Sequence, residues 1–193
     1  MKNQLTQLQE LIILMDPQLY RHLEKTDSLN LFFCFRWILI AFKREFAFED
    51  VLSVWENLWS APSAHFHLFV ALSILELNRT VIIRYLAEFD EVLKYINELA
   101  GTLEPQPILS QAEVLYLGFK SLVEATDKRK AEREAAGSTA GRLRQRKTAG
   151  STAADLAKAK DDDPLVKLVN DEVDAEARVP DIAISDELRS LLK

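Results

Sequence analysis

Beyond Phe119 the chain has no aromatic residue: all three Trp, all ten Phe and all four Tyr lie at or before that position. A packed core therefore belongs to roughly the first 120 residues, and the stretch 124–193 is expected to be a largely disordered tail. Cys34 is the only cysteine, which excludes an intrachain disulfide. Set in an apolar run, it is expected to be a buried structural thiol rather than a reactive one. The five glycines are all isolated, so no loop that could cradle a phosphate is present. The longest apolar run, 31–42, is interrupted by Arg36 and falls short of the roughly 20 residues a membrane span needs. The polar start MKNQLTQLQE has no signal-peptide character. These absences point to a cytoplasmic protein, and the net charge of -6 gives no sign of nucleic-acid binding.

Helical periodicity dominates what remains. Leu5, Leu8, Leu11, Ile12 and Met15 share one helix face. Asp16-Pro17 ends that helix and starts the next, since Asp caps and Pro fits a first turn. Asp27 or Ser28 is expected to cap a helix from Leu29 to about Glu45 that is apolar nearly all round, the signature of a helix buried in a bundle. Phe48 to Ser60 follows, with Val51, Leu52, Trp55, Leu58 and Trp59 on one face. His65 to Leu77 reads as amphipathic through Phe66, Phe69, Val70, Ser73, Ile74 and Leu77. Val81 to Leu86 and Phe89 to Leu99 are further helices, the latter stopped by Gly101. Ile108 to about Ala136 is the last, apolar only as far as Val123. The fold class is all-α, with a domain over 1–123.

The tail divides by charge. Positions 127–160 hold ten Lys/Arg against four Asp/Glu, a net of +6; positions 161–193 hold four against ten, a net of -6. The basic part repeats AGSTA at Ala136 and Ala149 and reads as low-complexity and mobile. Two small apolar clusters, Leu165 to Val169 and Leu188 to Leu192, are candidates for short helices or binding motifs.

Catalytic, metal and cofactor chemistry find no support. His65 and His67 are spaced H-x-H, but i and i+2 on a helix point about 200° apart, a poor metal site. His22 stands alone and is expected at the surface. No Ser or Cys has an identifiable base partner. Arg36 is the odd residue in its apolar helix. The structural reading is an ion pair, because a buried guanidinium needs a carboxylate; the alternative is a catalytic arginine. Glu56 is the expected partner, across a short turn near Ala47. Glu45 is set aside as too far along the same helix.

Phe35-Arg36-Trp37, then Arg44-Glu45-Phe46, then Trp55-Glu56 resemble the C-terminal half of TBC-domain Rab GTPase-activating proteins. The stretch MDPQLYRHLEKTDSLN is similar to the D-P-x-L-x-x-x-L segment of the subgroup related to yeast vacuolar Rab regulators. The resemblance continues through HFHLFVALSILELNR and FDEVLKYINELAG and covers about Lys2 to Gly101. It implies an all-helical fold, a GTP-bound Rab as partner, and at most a peripheral place on endosomal or vacuolar membranes.

The family supplies two fingers in trans, an arginine from I-x-x-D-x-x-R and a glutamine from Y-x-Q. The arginine stabilises charge on the transferring phosphate and the glutamine positions the attacking water. Neither motif occurs here. Ile13 to Leu19 comes nearest the first, with Leu19 where the arginine belongs, and the four Tyr are followed at i+2 by His22, Ala87, Asn97 and Gly118. No catalytic residue is carried over; Arg36, Glu56, Trp37 and Trp55 are assigned structural roles. The expectation is a fragment of a GTPase activator, not an active enzyme alone, with a non-catalytic Rab- or protein-binding module as the alternative. In either case apolar surface should be exposed on the first helices.

Overall fold

Asp16 and Pro17 set the first corner of the chain as the sequence predicts. The Asp16 carboxylate accepts hydrogen bonds from the amides of Gln18 and Leu19, and Pro17 occupies the first helical position, where its missing N–H costs nothing. The computed structural model describes residues 2–148 and 184–193, with side chains described as far as 133 and again over 184–193. Among these residues every regular element is helical. They are α1 (Lys2–Met15), α2 (Pro17–Lys25), α3 (Phe32–Leu39), α4 (Phe48–Ser60), α5 (Phe66–Leu77), α6 (Arg79–Tyr85), α7 (Phe89–Glu98), α8 (Pro105–Thr148) and α9 (Asp186–Arg189), which runs into a 3-10 turn at Ser190–Leu192.

The core centres on α5. From Phe66 to Leu75 nearly every side chain of α5 is buried, with α1, α3 and α6 packed around it. Phe69 stacks edge-on against Tyr116 at 5.4 Å and lies 5.7 Å from Phe119, so the first part of α8 joins the same core. Among the described side chains of α8, Val123 is the last buried one.

The expected helix from Leu29 to Glu45 is much shorter. Asn30 accepts from the Phe32 amide to start α3, and Leu31 stands in the left-handed region at φ 50°. The helix ends at Leu39 because Ala41 and Phe42 both turn left-handed, at φ 47° and 60°. Phe42 is driven into the core by this reversal, and its amide bonds back to the Trp37 carbonyl. Burial of a large aromatic offsets the cost of two left-handed residues, roughly 1–2 kcal/mol each.

Helix α8 runs past the predicted end near Ala136 to Thr148. Over 137–148 the three Arg with Leu143, Gln145, Lys147 and Ala140 favour helix, while Gly137 and Gly141 disfavour it, so polarity alone does not place its end. The chain divides into two units, Met1–Val123 with Ile184–Lys193, and Glu124–Ala183. The last ten residues, expected to belong to an unpacked tail, thus pack within the first unit. The cluster at Leu165 to Val169 lies outside the described residues.

Candidate functional site

Arg36 projects from the last turn of α3, and its partner is Glu45, not Glu56. Nε donates to Oε1 at 2.7 Å and Nη2 to Oε2 at 3.0 Å, a two-pronged pair. The Glu45 side chain is fully buried, whereas that of Arg36 is 31% exposed. In a continuous helix the nine residues from Arg36 to Glu45 would span about 13 Å. The left-handed reversal at Ala41 and Phe42 folds the chain back and brings Glu45 beneath Arg36. Glu56 is exposed on α4. The Glu45 carboxylate raises the Arg36 guanidinium further above its ordinary range, chiefly through the hydrogen bonds.

The other motif residues close around this pair. Trp37 is fully buried, edge-on to Phe33 at 6.5 Å and tilted against Phe42 at 6.4 Å. Phe46 meets Phe42 edge-on at 6.5 Å. The Trp55 indole N–H donates to the Ala41 carbonyl at 2.7 Å, tying α4 to the turn after α3. Gly101, left-handed at φ 80°, gives its amide to the Glu45 carbonyl at 2.8 Å and draws in the end of α7. Arg36, Trp37, Glu45, Phe46 and Trp55 therefore build one lock across α3, α4 and the end of α7, while Phe35 and Arg44 of the same motifs are exposed. Its charge is internally neutralised, and the Arg36 guanidinium is committed to holding the fold. Cys34 is buried nearby, as expected, and burial first, then the Glu45 charge, push its thiol well up.

A second polar cluster joins α2, α5 and α6, and the sequence reading missed it. Arg79 reaches across to the Asp16 carboxylate and donates to Gln18 Oε1 at 2.6 Å. Burial alone would raise the Asp16 carboxyl, but the Arg79 hydrogen bond and the helix-capping amides outweigh it and hold it below the usual range. Glu76 sits against them. Burial first, and then the Asp16 charge, push its carboxyl up to about 7. The only sequence signal was Asp16 itself, whose capping role was read without its second partner.

The histidines take different places from those expected. His65 precedes α5 rather than lying in it, so its ring comes within 6.2 Å of His67 and the helical argument for divergence does not apply. Among the described residues no group of three or more His, Cys, Asp or Glu gathers as metal ligands would. Burial, then the His65 charge, lower the His67 pKa, and its Nε2 meets Gln4 at 3.2 Å. His22 is half-buried rather than at the surface, bonded to the Leu86 carbonyl at 2.8 Å.

Apolar surface is concentrated on α3 and α4. Phe32, Phe35 and Leu39 form an exposed i, i+3, i+7 row, and Phe48, Leu52 and Trp59 face solvent from α4. Phe48 and Trp59 are 82% and 78% exposed. Among the described residues no single helix is long and apolar enough to cross a membrane.

Residues 1–83 match the family model described as the Rab-GTPase-TBC domain. Among curated relatives, the chain is 48% identical over 134 residues to "GTPase-activating protein GYP7" of Yarrowia lipolytica, covering 69% of this chain and 18% of that protein. It is 41% identical over 143 residues to the protein of the same name in Saccharomyces cerevisiae, covering 72% of this chain and 19% of that one. With "TBC1 domain family member 17" of Mus musculus it shares 46% over 117 residues, 60% of this chain and 18% of that protein. The chain thus spans under a fifth of the length of these relatives. The N-terminal helical part of the chain, residues 1–83, is thus similar to the Rab-GTPase-TBC domain.

Proposed function

We propose that this chain is the C-terminal part of a Rab GTPase-activating module, and that it supplies the packing frame of that module rather than its catalytic groups. The observation that carries the reading is the Rab-GTPase-TBC match over residues 1–83, joined to relatives whose names say GTPase-activating protein. The partner is a GTP-bound Rab, met by a cytoplasmic protein at endosomal or vacuolar membranes. The absence of I-x-x-D-x-x-R and Y-x-Q from the sequence supports a non-catalytic role for this segment. So does Arg36, whose guanidinium is engaged by Glu45.

The purified chain, added in excess to a panel of GTP-loaded Rab proteins, should leave their hydrolysis rates unchanged. Stimulation of about a hundredfold or more, approaching the ~10³–10⁵ of an arginine finger, would overturn this and direct mutagenesis to Arg36 and Arg44. The exposed aromatic rows of α3 and α4 favour a second reading, a module that binds a Rab without accelerating it. Retention of a GTP-loaded Rab on the immobilised chain, at an unchanged hydrolysis rate, would select that reading.

A further inference from the structure

The segment Ile184–Lys193 is separated from Val123 by the whole of the second unit, yet it belongs to the first. Its place is therefore fixed by its own contacts, which resemble those of a bound peptide. Ile184, Leu188 and Leu191 are buried, at positions i, i+4 and i+7 of a single turn and its 3-10 extension. Ser185 caps that turn, accepting from the Leu188 amide at 3.1 Å, while its hydroxyl donates to Glu10 Oε2 on α1 at 2.9 Å. At the other end the Leu191 carbonyl accepts from the hydroxyl of Ser63, in the connection between α4 and α5.

Ser63 is the strongest sign of a built receptor. It is 98% buried, and its hydroxyl hydrogen is given to a carbonyl of the docked segment while its oxygen accepts from the His65 amide at 3.0 Å. Without the segment, that donor would lose its protein partner. The receptor thus has an acidic acceptor at one end, an apolar floor, and a buried donor at the other. It discriminates by chemistry: a Ser-capped turn with apolar residues before the cap and at its third and sixth following positions. The acidic Asp186 and Glu187 in the first turn stabilise that turn through its dipole.

We propose that Ile184–Lys193 is a detachable intramolecular ligand, and that the face of α1 with Ser63 is a binding site for capped one-turn helices of this pattern. The segment closes apolar surface of α1 that the sequence reading expected to stand open. A peptide of residues 184–193 is then a competitor for the same face.

The test uses the full chain carrying Leu188→Asp and Leu191→Asp, which place charges in an apolar site. Amide exchange within 184–193 should quicken by about tenfold or more, while α5 amides stay protected. A fluorescent peptide of residues 184–193 should bind this variant and not the wild-type chain. Failure of the peptide to bind a variant whose α5 remains protected would overturn the proposal. So would wild-type exchange in 184–193 as fast as in the free peptide.

If the double variant loses α5 protection, a milder surface change decides. Ser185→Asp keeps a capping side chain but sets a carboxylate against Glu10, so exchange in 184–193 should quicken, and Glu10→Gln should reverse the effect. Equal exchange in all three chains would overturn the role given to the Ser185–Glu10 contact and with it the proposed register. Sedimentation of the wild type as a dimer that Leu191→Asp dissolves would assign the segment to a second copy and overturn the intramolecular reading.

Discussion

Helices α3 and α5 are both strongly apolar, yet they meet opposite fates. The sequence of α3, FFCFRWIL, is greasy all round and was expected inside a bundle; Phe32, Phe35 and Leu39 are instead exposed, Phe32 by 64%. Helix α5 reads as amphipathic, but Leu68, Ala71, Leu72 and Leu75 are buried along with the predicted face, and Leu77 of that face is exposed. The difference lies in their neighbours. Helix α5 is enclosed by α1, α3, α6 and the start of α8, while α3 packs on α5 and α7 and has one side left over. Composition around a helix says what it tolerates; the surrounding elements decide what it buries.

The comparison breaks if the two helices contribute alike to stability. Phe69→Ala on α5 should cost about 3–5 kcal/mol, as for other large-to-small core changes. Phe32→Ala on α3 should stay within about 0.5 kcal/mol, as exposed positions do. Urea unfolding of both variants measures the gap, and similar midpoints would contradict the assigned roles.

The charged residue of each helix sharpens the contrast. Arg36→Ala strands a buried carboxylate at Glu45, and a loss of about 2–3 kcal/mol is expected, below the ~3–5 of a fully buried pair because Arg36 is partly exposed. Glu56→Ala should change stability by less than about 0.5 kcal/mol. A double-mutant cycle over Arg36 and Glu45 should give a coupling that the cycle over Arg36 and Glu56 lacks. Coupling to Glu56 instead would restore the pairing predicted from the sequence.

Glu76 at the end of α5 gives an effect that depends on pH. Its folded pKa of about 7 lies above the ordinary 4.5, so the folded state holds the proton more tightly than the unfolded chain does. The stabilising contribution is complete below about pH 4.5 and is lost as pH rises through about 7. Glu76→Gln keeps a neutral group there, so the melting temperature of the wild type should fall relative to the variant between those values. A parallel pair of pH profiles would show that Glu76 is not held against Asp16.

Much of the helical frame was legible, because apolar periodicity and caps are local. The Asp16-Pro17 corner and the bounds Phe48–Ser60 follow from the sequence as read. The Arg36 pairing was not legible, because it depends on two non-glycine residues, Ala41 and Phe42, adopting left-handed backbone. Nothing in their residue types announces this; the burial of Phe42 compels it. The Asp16–Arg79 pair and the docked segment escaped for a different reason: each joins residues far apart in the chain, and no local pattern records such a meeting.

The contact between Ser185 and Glu10 spans 175 positions. During synthesis at about 5–20 residues per second, α1 emerges roughly 9–35 s before its covering segment exists. Every other packing partner of α1 is available earlier. The face of α1 is thus closed later than its contacts with α2 and α5, and a nascent chain that stalls before residue 184 leaves it open. An uncovered α1 face therefore distinguishes a chain without residues 184–193 from one that holds them.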